Sequence, residues 1–300
     1  MSSEDNNEDQ PQQYINLPQK SKYRMHAHCN PLSCVSIPYP FAPNCVDWSI
    51  HYPVLFELSK SLNKEIKINT DKFPINYHNE NYVPIATSIL PSTTSPVVNI
   101  VDIGCGYGGL LYNMSEHLSE GDVAIGMEIR DKVANFVGER IKTLRLNSQS
   151  KSYNNISVIR TNTMKLLLNY FYKGQLDKLF FCFADPHFKK YNHRKRIINK
   201  YLLNDYSYVL KKGGRLYSIT DVEELHKWHL EIIKQNPCFK ELSQEEVDKD
   251  PFIKDMKNTD EARKVMKKNG NMHIVVYERV EPKITSIHEL YDKIDYSINE

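Results

Sequence analysis

Residues 97–109, Val-Val-Asn-Ile-Val-Asp-Ile-Gly-Cys-Gly-Tyr-Gly-Gly, leave the chain few ways to fold. A β-branched apolar run, suited to a strand buried on both faces, stops at Asp102 and gives way to a glycine-rich turn. Gly104, Gly106 and Gly109 satisfy G-x-G-x-x-G. In that pattern, backbone without a Cβ turns tightly, approaches a ligand closely and lets the next helix pack on the strand. The segment reads as a central strand feeding a ligand loop.

Taken alone, the glycine pattern accommodates a dinucleotide, S-adenosylmethionine or no ligand. Two acids narrow the choice: Asp102, two residues before Gly104, and Glu128, which closes the next apolar run. A carboxylate at the first strand's tip disfavours a diphosphate and favours the cationic amino-acid end of S-adenosylmethionine, while Glu128 can accept the ribose hydroxyls. Acids at the tips of the first and second strands form an arrangement that resembles the class I methyltransferases.

Composition bounds the rest. At 300 residues with 40% hydrophobic content the chain can bury a substantial single core. Its 39 basic and 37 acidic residues nearly cancel, so their distribution says more about partners than the net charge of +2. Six cysteines, at 29, 34, 45, 105, 182 and 238, include no C-x-x-C pair, which fits reduced thiols in an intracellular protein. The longest apolar run, Leu179 to Ala184, is far too short to cross a bilayer, and the acidic start lacks a signal peptide's apolar stretch. No membrane association is expected.

In chain order, residues 1–20 are acidic and polar and read as a disordered tail. Residues 21–59 read as an arm packed on the core by Phe41 and Trp48. Around Lys20, Lys22, Arg24, His26 and His28 this arm is basic with Tyr23 interleaved, as a solvated face or a nucleic-acid contact would be. His26, His28, Cys29 and Cys34 match no standard zinc-finger spacing, so no metal is expected. Residues 60–96 lack periodicity and read as a linker or insertion, and 97–280 as the catalytic domain. Strands are expected at 98–103, 123–129, 156–160, 179–184, 213–220 and 273–279, with helices at 109–119, 131–146 and 193–209. A further helix is expected from Thr220-x-x-Glu223, read as a capping box, through Trp228. A charged, helix-prone stretch runs from Thr259 to Lys268, and residues 281–300 carry apolar positions at helical spacing, a candidate tail helix. This alternation predicts an α/β, doubly wound, mostly parallel sheet of Rossmann-like type with ligands beyond the strands' carboxyl ends.

The fourth strand runs into Phe183-Ala184-Asp185-Pro186-His187-Phe188-Lys189-Lys190, and from 186 to 204 there are six Lys or Arg but no Asp or Glu. A positive run usually marks only a solvated face. Here it begins just past a carboxylate at a strand tip, as an entrance for an anionic substrate with an acid at its base would.

These residues closely resemble the tRNA (guanine-N7)-methyltransferases in their eukaryotic catalytic-subunit form. The resemblance rests on Tyr23-Arg24-x-His26-Ala27-His28-x-Asn30-Pro31, Asp47-Trp48 with Tyr52-Pro53, Asp102 through Gly109, and Glu128-Ile129-Arg130. It continues in Asn162-x-Met164-Lys165, Asp185-Pro-His-Phe-Lys189, Thr220-Asp221-Val222 with Glu224-Leu225-His226, and Thr259-x-Glu261. It implies that S-adenosylmethionine is the methyl donor, held by Gly104, Gly106, Glu128, Ile129, Arg130, Asn162, Thr163 and Cys182, with Thr259 and Glu261 closing over the methionine end or the target base. Asp185 is then the active-site acid. Arg24, Lys189, Lys190, His193, Arg194, Lys195 and Arg196 are expected to contact RNA phosphates. The resemblance further implies a variable-loop guanosine as target, a WD-repeat propeller subunit as partner, and a nuclear or nucleocytoplasmic location. Ala184 departs from the family's usual proline, and Thr163 stands where a smaller residue is common.

Three other readings compete. A class I methyltransferase acting on a protein or small molecule would share the cofactor residues. A non-catalytic RNA-binding scaffold would keep the fold without the intact Asp102, Glu128 and Asp185. A nicotinamide dehydrogenase would place its diphosphate against Asp102.

Overall fold

The structure, a computed structural model, describes residues 14–25, 29–33, 36–55, 67–77, 97–148 and 153–282. Of the tail expected at 1–20, residues 1–13 lie outside them, as do residues 283–300 of the candidate helix at 281–300; Ile15 and Lys20, within the expected tail, are placed on the core by contacts to Asn147 and Asp260.

The apolar run at 97 forms β1 (Val97–Ile103), and the glycine loop leads into α1 (Gly109–Ser115). Then follow β2 (Asp122–Glu128), α2 (Asp131–Asn147), β3 (Ile156–Arg160), α3 (Thr163–Leu166) and β4 (Leu176–Cys182). The second half comprises α4 (Leu202–Val209), β5 (Leu210–Thr220), α5 (Glu223–Lys234), β6 (Phe239–Glu241), α6 (Gln244–Asp248), α7 (Pro251–Lys257), α8 (Asp260–Lys267) and β7 (His273–Arg279). The strands form one sheet in the order β3-β2-β1-β4-β5-β7-β6. Pairing is parallel from β3 to β5, and β7 runs antiparallel to both its neighbours. The strand order reverses between β1 and β4, so the connections leaving their carboxyl ends diverge and open a crevice there.

Both faces of the sheet are covered. In β4, Leu179 and Phe181 join the core on one face with Tyr206 and Trp228, while Phe180 stacks on Tyr217 on the other at 4.4 Å between ring centres. A register shift between Val98 and Ile100 turns Val98 onto the same face as Val101. Asn99 fills that irregularity, donating to the Asp122 and Asp177 carboxylates and accepting from Val123 N. Gly126, in the middle of β2, is a close-approach position: a Cβ there would lie 2.6 Å from Cys105 Sγ and 2.7 Å from Leu111 Cδ1. Gly126→Ala is therefore expected to destabilise the fold by roughly 1 to 3 kcal/mol, read as a lowered midpoint in thermal or urea unfolding. An unchanged midpoint would mean that the glycine loop yields without loss.

Several elements depart from the sequence reading. The helix expected at 193–209 forms only over its second half: Lys190–Lys195 make a 3₁₀ turn, Arg196 adopts an extended backbone at φ −62°, ψ 128°, and α4 begins at Leu202. The cause is a buried guanidinium described below, whose contacts override local helix preference. Thr220 is not the cap of a capping box; its hydroxyl accepts from Val222 N, and α5 starts after Val222 without a side-chain cap. A capping box occurs instead at Ser243 and Glu246, opening α6. The helices α6 and α7 and the short β6 escaped the sequence reading because each is under two turns or three residues long.

The arm packs through Trp48, which stacks on Phe171, and through Tyr52, whose hydroxyl donates to Ala124 O; Phe41, in contrast, is 68% exposed. Part of the expected linker belongs to the core. Ile68 is fully buried over Gly138, its carbonyl accepts from Arg160 N at 2.8 Å, and Asn69 donates to the carbonyls of Pro38 and Arg160. Residues 67–73 thus cover the outer edge of β3 with no regular element whose periodicity could announce them.

Candidate active site

The crevice between β1 and β4 opens into a cleft of about 360 Å³. Its floor is the glycine loop. Gly104 and Gly106 adopt φ +70° and +53°, a region that L side chains rarely enter. Gly104 N donates to Met127 O at 2.8 Å, extending the sheet, and Gly106 N donates to Glu128 Oε2 at 3.0 Å. The other carboxylate oxygen of Glu128 accepts from Arg130 N and Nε at 2.9 and 3.0 Å. The second-strand acid is thereby fixed at the cleft wall by loop backbone on one side and Arg130 on the other.

Asp102, near the end of β1, is buried behind the cleft, whose lining includes the next two residues, Ile103 and Gly104. It is 1% exposed, and its Oδ1 has no hydrogen-bond partner. Burial pushes its carboxyl up to about 8, with the Glu261 and Glu128 charges adding in the same direction. Glu128 and Glu261 line the cleft, and Asp102 is buried close enough behind it to feel both charges, with one oxygen unpartnered; together these acids suit a cation. The ammonium of an amino acid satisfies that demand, and the sulfonium of S-adenosylmethionine suits the same negative field. A dinucleotide diphosphate does not.

The other walls come from farther along the chain. Met127, Ile129, Thr161, Asn162, Thr163 and Met164 line one side, and the arm adds Cys29 and Pro31. Asn162 Nδ2 donates to Pro31 O at 2.7 Å, tying arm to core. Lys20 crosses the Tyr107 ring and pairs with Asp260, whose carboxyl is held down at about 2 by Lys20 and Arg263 despite partial burial. The segment after β4 adds Phe183, Ala184, Asp185, His187 and Lys195, and α8 adds Glu261. Phe183 and His187, on either side of Asp185, have φ of +52° and +45°. Such conformations cost on the order of 1 to 3 kcal/mol each and persist only where surrounding structure imposes them.

The cleft thus brings together Gly104, Gly106, Glu128, Ile129, Arg130, Asn162, Thr163, Asp185, Lys195 and Glu261. Two cofactor candidates fall outside its lining. Thr259 is buried and caps α8, its hydroxyl donating to Met256 O and accepting from Ala262 N, so it aims the helix that carries Glu261. Cys182, on β4, lies behind the lining, its thiol raised well above the ordinary range by burial and by Asp102. Among the RNA candidates, Lys189, Lys190 and Arg194 are exposed beside the cleft, and Arg24 is exposed on the arm. His193 is half-buried, edge-on to Trp228.

Arg196 is a correction. At 1% exposure it cannot reach a phosphate; it points inward, pairs with Glu224 at 2.6 Å and donates to Pro186 O at 2.8 Å. A charge run in a sequence does not reveal which of its members turns inward. Sequence reasoning also missed Phe188, Tyr191 and Tyr201, large aromatics exposed next to the basic cluster. Lys189 lies over Tyr191 and Lys200 over Tyr201, at 5.9 and 5.2 Å from the ring centres. Aromatic faces interleaved with cations suit unstacked bases and their backbone; the signal was present in the sequence as tyrosines inside the positive run. Among the described residues no cluster of His, Cys, Asp or Glu is placed to hold a metal, and no helix is long and apolar enough to cross a membrane.

Sheet order, glycine loop and strand-tip acids together define a class I S-adenosylmethionine-dependent methyltransferase. A family model described as "Putative methyltransferase" matches residues 96–275. Curated tRNA (guanine-N(7)-)-methyltransferases match across nearly the whole chain. That of Arabidopsis thaliana is 43% identical, covering 88% of this chain and 92% of the relative. Those of Eremothecium gossypii and Neurospora crassa are each 41% identical, covering 89% and 88% of this chain and 84% and 88% of theirs. The chain belongs to the tRNA (guanine-N7)-methyltransferase family.

Proposed function

We propose that this chain transfers a methyl group from S-adenosylmethionine to N7 of a guanine in tRNA, in the variable loop. The observation that carries this reading is one cleft lined by Glu128, Asp185 and Glu261, with the buried Asp102 carboxyl behind it, at the edge of a cationic and aromatic surface. When bound, S-adenosylmethionine supplies an electrophilic methyl on its sulfonium. Asp102 receives the ammonium of its methionine end, Glu128 the ribose diol, and Ile129 and Thr163 border the adenine. Guanine N7 carries an accessible lone pair, so no base need remove a proton from the nucleophile. Asp185 grips the guanine's N1 and N2 donors and stabilises the positive charge the ring gains, an interaction worth roughly 1.5 to 3 kcal/mol. Alignment of N7 with the methyl supplies most of the remaining acceleration. The base must leave its stack to reach a strand-tip cleft, and the exposed aromatics offer faces for its neighbours.

Lys189, Lys190 and Arg194 hold the RNA backbone and carry no sequence information. Replacing all three with alanine is expected to weaken tRNA binding and to flatten the dependence of log K on log salt, by roughly 0.7 to 0.9 in slope for each phosphate no longer neutralised. S-adenosylmethionine affinity should stay unchanged in calorimetry. An unaltered slope removes these residues from the interface. A WD-repeat propeller partner and nuclear residence complete the proposal, supported by family resemblance alone. Transfer of labelled methyl to bulk tRNA, with and without a propeller subunit, followed by nucleoside analysis, tests reaction and partner together; imaging of a tagged chain tests the location. Label in protein but not in tRNA would overturn the substrate.

A further inference from the structure

The connection from Asp185 to α4 folds around one buried guanidinium. Arg196 Nε donates to the carbonyl of Pro186, the peptide next to Asp185, at 2.8 Å. One Nη donates to Glu224 Oε1 at 2.6 Å, and the guanidinium carbon lies 4.7 Å from the Trp228 ring centre. Trp228 is itself fixed, its indole N–H donating to Ile198 O at 2.8 Å, and Asn199 Nδ2 closes onto Arg196 O at 2.9 Å. The loop is thereby tied to the first turns of α5. Arginine alone offers the planar fork that can serve a carbonyl, a carboxylate and an aromatic face at once. Phe183 and His187, left-handed on either side of Asp185, need such an external hold.

We propose that Arg196 is the positioning residue of the Asp185 loop, with Glu224 and Trp228 as its anchors. This rests on the methyl-transfer reading above. Arg196 touches neither substrate nor cofactor; it sets where the Asp185 carboxylate stands relative to the target base. Its contribution therefore belongs to kcat, whereas a phosphate contact would appear in RNA affinity and salt dependence, and a purely structural role in melting alone.

The test compares wild type, Arg196→Lys and Glu224→Gln in the full chain, together with any subunit that activity requires. Arg196→Lys keeps the charge but loses the fork, and kcat is expected to fall roughly 100-fold, the scale of a small misplacement at a reacting centre. The KM for tRNA, the affinity for S-adenosylhomocysteine and the salt slope are expected to stay at wild-type values. Glu224→Gln keeps an acceptor for Arg196 and is expected to show the same pattern with a smaller loss. Amide exchange over residues 183–188 is expected to speed up in Arg196→Lys, a readout that does not depend on activity. Retained kcat in folded Arg196→Lys, or a kcat loss matched by a lower salt slope, overturns the proposal. Should Arg196→Lys fail to fold, wild-type kcat in Glu224→Gln overturns it instead. A wild-type protein that places no methyl on guanine N7 refutes the underlying function, and the exchange measurement still decides whether Arg196 holds the loop.

Discussion

Asp185→Ala is expected to lower methyl transfer to tRNA by about a thousandfold, combining the missing charge-assisted grip with loosened alignment of the base. The effect should fall on kcat. Asp185 follows β4 and Glu128 ends β2, with β1 and its glycine loop between the two, so affinity for S-adenosylhomocysteine is expected to stay close to that of wild type. Asp185→Asn separates the two contributions: an amide oxygen can still accept one donor from guanine but brings no negative charge, so activity should be partly restored. Alanine and asparagine variants of equal activity would assign the whole effect to charge. A variant that lost cofactor binding along with turnover would move Asp185 from the base to the methyl donor.

The second large effect concerns Asp102. Because burial raises its carboxyl to about 8 in the ligand-free protein, the group is mostly protonated at pH 7. Pairing with an ammonium requires the carboxylate, so binding must expel that proton. Calorimetry at pH 7 in buffers of different ionisation heat is therefore expected to show release of close to one proton. Affinity should rise with pH and level off near 8, falling by up to tenfold for each unit below. Asp102→Asn is expected to abolish the release and to weaken binding by roughly 2 to 5 kcal/mol, the range for removing one partner of a buried charged pair. The ligand-free protein should respond in the opposite sense. A carboxyl whose folded value lies above its unfolded value, about 3.9, loses stability as pH rises from about 4 to about 8. Asp102→Asn should therefore melt higher than wild type at pH 8 while binding worse. Binding without proton release, with affinity flat between pH 6 and 8, would place the ammonium elsewhere.

Where each feature was legible follows from its physics. The strand-loop-strand centre could be read because burial on both faces writes continuous apolar runs and a phosphate-free ligand loop writes glycines beside acids. Both are local patterns. The acids Asp102, Glu128 and Asp185 stand out in the sequence because strand tips are legible, whereas Glu261 is singled out by the family resemblance alone. Arg196 and Ile68 were misplaced for one shared reason. Each is decided by partners distant in sequence that composition does not encode. Arg196 looks like its exposed neighbours Lys195 and Arg194 until Pro186 and Glu224 are seen around it. Ile68 sits in a segment without periodicity because its role is to cover an edge, and Thr259 caps the helix two residues before Glu261.

The lining of the β3 edge by residues 67–73 bears on how the chain is made. Tyr52 waits for Ala124, Asn69 for Arg160, and Ile15 for Asn147, pairs separated by 72, 91 and 132 residues. During synthesis the arm leaves the ribosome well before the strands it must cover. It spends that interval with Tyr52 and Ile68 in water, and settles only after β3 has formed. Ordering of the arm is thus a late step in folding, dependent on long loop closures. Nascent chains halted short of residue 160 should leave the peptide bonds around Tyr52 and around Ile68 open to protease.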